Sequence, residues 1–201
     1  MKECYILIAQ RLELDCDLLK AEDFAATIGQ WPAYADAIAS LRLLRKYYKV
    51  VTLPNVDDAS FEETMRGPLY GARFDAVYTA EMIESYKPAR ENFEYLERKI
   101  MRDYKVPQHE VLIVSNNLRN DHVPGKKAGF RPGVWIERKG ENGVLAGDVG
   151  YLLEEGKGRV ELSARYRTLA EFAEAVDRAF KKKTKYAPSI ASTGTSESWG
   201  L

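Results

Sequence analysis

The sequence predicts an α/β fold built on a doubly wound parallel sheet, and three features predict it. Four short apolar runs recur: Val50-Val51-Thr52-Leu53, Phe74-Asp75-Ala76-Val77-Tyr78, Val111-Leu112-Ile113-Val114 and Gly133-Val134-Trp135-Ile136. Their continuous, β-branched character suits strands buried on both faces. Stretches with helical spacing separate them, near residues 58–66, 89–104 and 121–128. Strand–helix–strand alternation calls for right-handed crossovers, with helices on both faces of the sheet.

The remaining elements follow in order. Residues 3–14 place Tyr5, Ile8 and Leu12 on one helical stripe, and residues 20–28 make a second short helix that Gly29 should close. Trp31-Pro32 is a break. Residues 34–47 repeat Ile38, Leu41 and Leu44 at helical spacing, with basic residues in the last turn where the helix dipole favours them. After Arg138, Gly140–Gly158 reads as loop with room for one short strand. Residues 168–181 form the last helix, with Thr168 as N-cap and Glu171 three residues on, a capping box. The tail begins KKKTK and turns rich in Ser, Thr, Gly and Pro. Its lysines read as a solvated helix end rather than a patch for an anionic partner, and disorder is expected there. No internal repeat is visible.

Composition narrows the function. A chain of 201 residues is roughly one domain and can bury about 70% of its unfolded surface without a metal or disulfide staple. Thirty Lys+Arg balance thirty Asp+Glu, which removes the basic field expected of a nucleic-acid binder. No apolar run approaches the ~18 residues that span a bilayer. The N-terminus, MKECYILIAQRLELDCD, has no small-residue cleavage site and is not a signal peptide. Cys4 and Cys16 lie outside any CxxC and read as buried or idle thiols of a reducing compartment. The expectation is a soluble cytoplasmic protein with no nucleic-acid or membrane partner.

Ligands of open α/β sheets bind at the carboxyl ends of the strands. The residues there are Pro54-Asn55-Val56-Asp57, then Thr79-Ala80-Glu81 and Ser85-Tyr86-Lys87-Pro88, then Ser115-Asn116-Asn117 and Asn120-Asp121-His122. Singly, each has an ordinary reading. Asp57 or Asp58 and Asp121 open helices and read as N-caps, and Lys87 reads as an exposed loop lysine. His109 and His122 have no second His or Cys at ligand spacing, so no zinc site is expected.

Together they say more, because an amide, a lysine and a carboxylate follow three successive strands. The text from Trp31 to Arg138 includes WPAYADAIASLRLLRKYYKVVTLPNVD, FDAVYTAEMIESYKPARENFEYL and VLIVSNNLRNDHVPGKKAGFRPGVWIER. It resembles the haloacid dehalogenase (HAD) superfamily, and within it the type II 2-haloacid dehalogenase branch. The resemblance implies a Rossmann-like doubly wound core with a partial helical cap. Residues 1–30 would be the remnant of that cap, 31–181 the core and 182–201 the disordered tail. Asn55 would contact the substrate or its leaving group, and Lys87 would neutralise a nucleophilic aspartate and the anionic group of a small substrate. Asp121 would help activate the hydrolytic water, with Asn117 orienting these groups. No cofactor is implied for a dehalogenase. Mg²⁺ would enter only for a phosphatase relative, where Asp121 would help hold it.

Two departures stand out. Relatives begin with a strand ending in a DxDGT-like motif, whose first Asp forms a covalent ester with the substrate. No such strand precedes residue 49, and Asp15 and Asp17 sit in helical text. The chain therefore reads as beginning inside the cap and as inactive on its own. Pro54 stands where the family has Ser or Thr, and proline offers neither a hydroxyl nor an N–H. That substitution favours a second reading, a non-catalytic remnant retained as a binding or regulatory module. An unrelated doubly wound domain is the third. Without the first strand the sheet should show a gap or two facing edges, and exposed edges are compatible with a homodimer.

Overall fold

The computed structural model describes residues 1–138 and 158–185. Helices α1 (Lys2–Arg11) and α2 (Leu18–Ala26) form a hairpin, with the Asp17 carboxylate capping α2 by accepting from Leu19 N at 2.9 Å. The rings of Tyr5 and Phe24 meet at 5.8 Å, and Lys2 pairs with Glu22 at 2.5 Å. Gly29 does not close α2 as expected. It lies inside a separate tight turn, Ile28–Gln30, where a Cβ would collide with the Glu63 side chain. Close approach, not helix termination, is what requires glycine there. Cys4 and Cys16 are free thiols, and both are exposed rather than buried.

The core follows as α3 (Ala37–Leu44), β1 (Val51–Thr52), α4 (Asp58–Arg66), β2 (Ala76–Val77), α5 (Ala80–Ile83), α6 (Arg90–Tyr104), β3 (Val114–Ser115), α7 (Val123–Lys127), β4 (Gly133–Ile136), β5 (Leu162–Tyr166) and α8 (Leu169–Lys185). Among the described residues every strand pair is parallel, and the strands fall into two sheets, β1–β2 and β3–β4–β5. The four expected strands are present, β4 over the whole of its apolar run and β1, β2 and β3 shorter than theirs. Strand β5 was not foreseen. Its residues alternate half-buried and exposed, the pattern of an edge strand with one face on the core.

Both sheets lie between the same two layers. On one face, Leu44 of α3 and Phe172, Ala173 and Val176 of α8 pack on Val134 and Ile136, with Val50, Leu112 and Val114 beside them. On the other face, Phe93, Leu96 and Ile100 of α6 join Tyr78 and Phe130 against Val51, Leu53, Val111 and Ile113. Helices on both faces of parallel strands make the fold doubly wound, as the sequence predicts.

Charge holds the β1–β2 half to α3. The Asp75 carboxylate accepts from Arg45 Nη2 at 3.2 Å, Lys49 Nζ at 3.3 Å and Val50 N at 2.9 Å. The Arg45 guanidinium and these neighbours hold its pKa down at about 2. At the start of α8, Glu171 N donates to Thr168 Oγ1 at 3.2 Å, while the Glu171 carboxylate accepts from Arg167 N at 2.8 Å. The expected capping box thus forms with its return bond one residue early. Helix α8 runs to Lys185, past the start of the segment assigned to a tail. The rest of that tail, and the Gly140–Gly158 loop apart from Gly158, lie outside the described residues. Among the described residues no helix is long and apolar enough to cross a membrane.

Candidate active site

The carboxyl ends of β1, β2 and β3 converge. After β1, the Asn55 side chain grips the backbone of Lys87 on both sides: Oδ1 accepts from Lys87 N at 2.8 Å and Nδ2 donates to Lys87 O at 3.0 Å. A primary amide carries one donor and one acceptor side and so can pair with a peptide group as a strand would. The Lys87–Pro88 peptide bond is cis. The loop so held aims the lysine at the end of β3. Lys87 Nζ donates to Asp121 Oδ1 at 2.6 Å, with both side chains nearly buried.

The other Asp121 oxygen is also engaged. Ser115, the last residue of β3, donates its hydroxyl to Asp121 Oδ2 at 2.5 Å and accepts from Asn117 N at 3.0 Å. Asp121 is not the helix cap that its isolated reading suggests. It sits within a wide π-helical turn, Leu118–His122, that precedes α7. Such turns are rare and occur often at functional sites. The cap of that turn is Asn117, whose Oδ1 accepts from Asn120 N at 2.8 Å.

Four sequence candidates can therefore be placed. Asn55, Lys87 and Asp121 come together, although Lys87 and Asp121 are 34 residues apart. Asn117 reaches the cluster through its backbone N–H, and its side chain serves the turn. The sequence places Ser115 just after the third apolar run but gives it no role of its own. Asp57 does cap α4, accepting from Ser60 N at 2.8 Å.

His122 is buried behind this cluster, with Nε2 3.1 Å from the Ser115 carbonyl. Burial pushes its pKa below the ordinary value, against the raising effects of that carbonyl and of Asp121. A Cβ at Gly133 would stand 2.5 Å from His122 Nδ1 and 2.8 Å from the Ile113 carbonyl, so β4 can start beside the ring only with glycine. No group of three His, Cys, Asp or Glu side chains suited to a metal occurs among the described residues. Mg²⁺ fits these residues poorly too, because Asp121 is the one carboxylate among Asn55, Lys87, Ser115 and Asp121 and the Lys87 ammonium already neutralises its charge.

The parallel α/β core thus gathers an amide, a cation and a carboxylate from the loops that follow β1, β2 and β3. No family model and no curated protein matches the sequence. Solved structures do match the fold. The L-2-haloacid dehalogenase from Xanthobacter autotrophicus superposes with TM-score 0.68 at 20% identity, over 88% of this chain and 74% of that one. A putative HAD hydrolase from Bacillus subtilis, bound to magnesium, gives TM-score 0.63 at 15% identity over 85% and 68%. A HAD phosphatase from Thermococcus onnurineus gives 0.53 at 22% identity over 86% and 70%. At these identities the likeness establishes the fold. The chain has the Rossmann-like fold of the haloacid dehalogenases and HAD phosphatases.

Proposed function

We propose that Asn55, Lys87, Ser115 and Asp121 are the anion-binding half of a haloacid dehalogenase-type hydrolase site for a small carboxylate substrate. The observation that carries the reading is the Lys87–Asp121 contact of 2.6 Å at the carboxyl ends of the strands. A compact ammonium with three donors, one of them spent on Asp121, suits a substrate carboxylate. Asn55 fixes where that ammonium stands. Asp121, oriented by Ser115, is placed to take a proton from a hydrolytic water.

In the dehalogenase chemistry that the resemblance implies, a carboxylate oxygen attacks the halogen-bearing carbon and halide leaves. Water then cleaves the resulting ester at its acyl carbon. Asp121 is the proposed base, so the attacking carboxylate is a second one. We propose that the 201-residue chain by itself binds without turning over. Mg²⁺-dependent phosphatase chemistry is the weaker reading, given the poor fit of a metal. Pro54, with no N–H or hydroxyl at the end of β1, favours a non-catalytic anion-binding module as the second reading.

Calorimetry with 2-chloropropionate and halide-release assays on the 201-residue chain test this. Wild type should bind, Lys87→Ala should bind at least about tenfold more weakly, and neither should release halide above background. Binding that ignores Lys87 would overturn the site. Lys87-dependent halide release would overturn the proposal that the 201-residue chain binds without turning over.

A further inference from the structure

Lys87 stands in the middle of a short loop, Ser85–Ala89, between the end of α5 and the start of α6. Helix α5 ends in the left-handed residue Glu84 (φ 57), and Ser85 N then donates to Ala80 O at 3.1 Å. Within the loop, Ala89 N turns back onto Tyr86 O at 3.0 Å. One side chain spans the two ends. Asn92, in the first turn of α6, donates from Nδ2 to Ser85 Oγ at 3.0 Å and to the Ala89 carbonyl at 3.3 Å. A primary amide carries two N–H bonds, so both contacts can be made at once. Asn55 holds the apex through the Lys87 peptide. The loop is thus held separately at its apex and at its ends.

Asn92 is 1% exposed and shares the buried face of α6 with Phe93, Leu96 and Ile100. Burying an amide is unfavourable unless it is hydrogen-bonded, whereas an apolar side chain there would need no partner. Helix capping does not account for it either. In a capping box the residue at this position accepts from the N-cap N–H, but Asn92 donates to the carbonyl of the N-cap residue, Ala89. Its bonds serve the loop.

We propose that Asn92 is a positioning residue, which joins Ser85 to Ala89 and so holds the Lys87 ammonium against Asp121 before any ligand arrives. Tying the ends removes loop conformations that would carry Nζ away from Asp121. An ammonium already in place binds an anion without the cost of ordering its loop. The hold on the ammonium stands on the hydrogen bonds alone, and only its consequence for a ligand rests on the reading of Lys87 as an anion-binding cation.

Heteronuclear NMR of the Lys87 ammonium in the 201-residue chain tests this, because an ammonium held against a carboxylate exchanges its protons slowly. Asn92→Leu matches the branched shape of asparagine and removes the donor. It should speed that exchange at least about tenfold and weaken 2-chloropropionate binding about tenfold. Ser85→Ala should do the same in smaller measure, and Ser85→Thr, which keeps the hydroxyl, should behave as wild type. The Asn92→Leu and Ser85→Ala pair should be no worse than Asn92→Leu alone, since both act through one contact. Val134→Ala weakens the core on the α3 and α8 face and should leave the ammonium as it is. An unchanged ammonium in Asn92→Leu would overturn the proposal. Equal loosening by Val134→Ala would overturn it too, since stability alone would then explain the effect. Should Asn92→Leu fail to fold, equal exchange in Ser85→Ala and Ser85→Thr would overturn it. A wild-type chain that does not bind 2-chloropropionate would strike the proposed function and leave the ammonium exchange to decide the role of Asn92.

Discussion

The β3–β4–β5 sheet and the β1–β2 sheet carry similar sequence but are held by different forces. In the first, β4 is bonded on both sides and its Val134, Trp135 and Ile136 are nearly inaccessible. In the second, among the described residues, the two strands pair only with each other, and Asp75 ties them to Arg45 and Lys49 of the α3 end. Apolar burial fixes a strand where neighbours cover both edges. Where one edge is open, an ion-pair cluster takes over part of that task. Lys87, which follows β2, and Asp121, which follows β3, join the two halves by their 2.6 Å contact.

Removing charge should hurt the β1–β2 sheet most. Asp75 titrates at about 2, against an ordinary 3.8. A depressed carboxylate contributes its full stability above pH ~4 and loses it as pH falls towards 2, a contribution of about 2 kcal/mol. Asp75→Asn should therefore lower stability by about 2 kcal/mol at pH 7, with the gap to wild type closing in acid. Denaturant titrations at pH 7, 4 and 2.5 measure this. An unchanged midpoint at pH 7 would mean that charge does not hold this sheet.

Truncating apolar side chains should show the reverse ranking. Val134→Ala removes buried methyls and should cost about 2 kcal/mol, whereas Val51→Ala, at a half-buried position, should cost about 1 kcal/mol. Equal costs in urea unfolding would contradict the contrast in burial. A smaller effect comes from His122, whose burial in the β3–β4 half lowers its pKa. The unfolded chain takes up the proton first, so stability should decline as pH drops below about 6.5. His122→Gln should flatten that decline, which thermal melts between pH 7.5 and 5.5 would record.

Much of this fold was legible in local signals. The bounds of α4 follow from its Asp57 cap and period, and the four apolar runs mark four of the strands. Strand β5 was missed because Leu162, Ala164 and Tyr166 alternate with Ser163 and Arg165 at the end of a glycine-rich stretch, where a period of two is easily read as loop. Gly29 and Asp121 misled for another reason. Each was assigned the commonest local job of its residue type, while tertiary contacts with Glu63 and Lys87 decided its place. The Lys87–Asp121 pair could not come from any local pattern, since only folding brings those loops together. It was reached through the resemblance, which carried the order of amide, lysine and carboxylate along the chain. Ser115 was named at its strand end but given no role, because a serine there has no distinguishing spacing.

Native-state hydrogen exchange on the 201-residue chain alone tests most directly whether the sheet is divided. The Val134 and Ile136 amides should exchange only through global unfolding, whereas the Val51 and Val114 amides, which strand alternation turns away from β2 and β4, should exchange at least about 100-fold faster through local fluctuation. Uniform protection across Val51, Val114, Val134 and Ile136 would show that β1 and β3 are bonded to a neighbour on their inner edges, and would contradict the account.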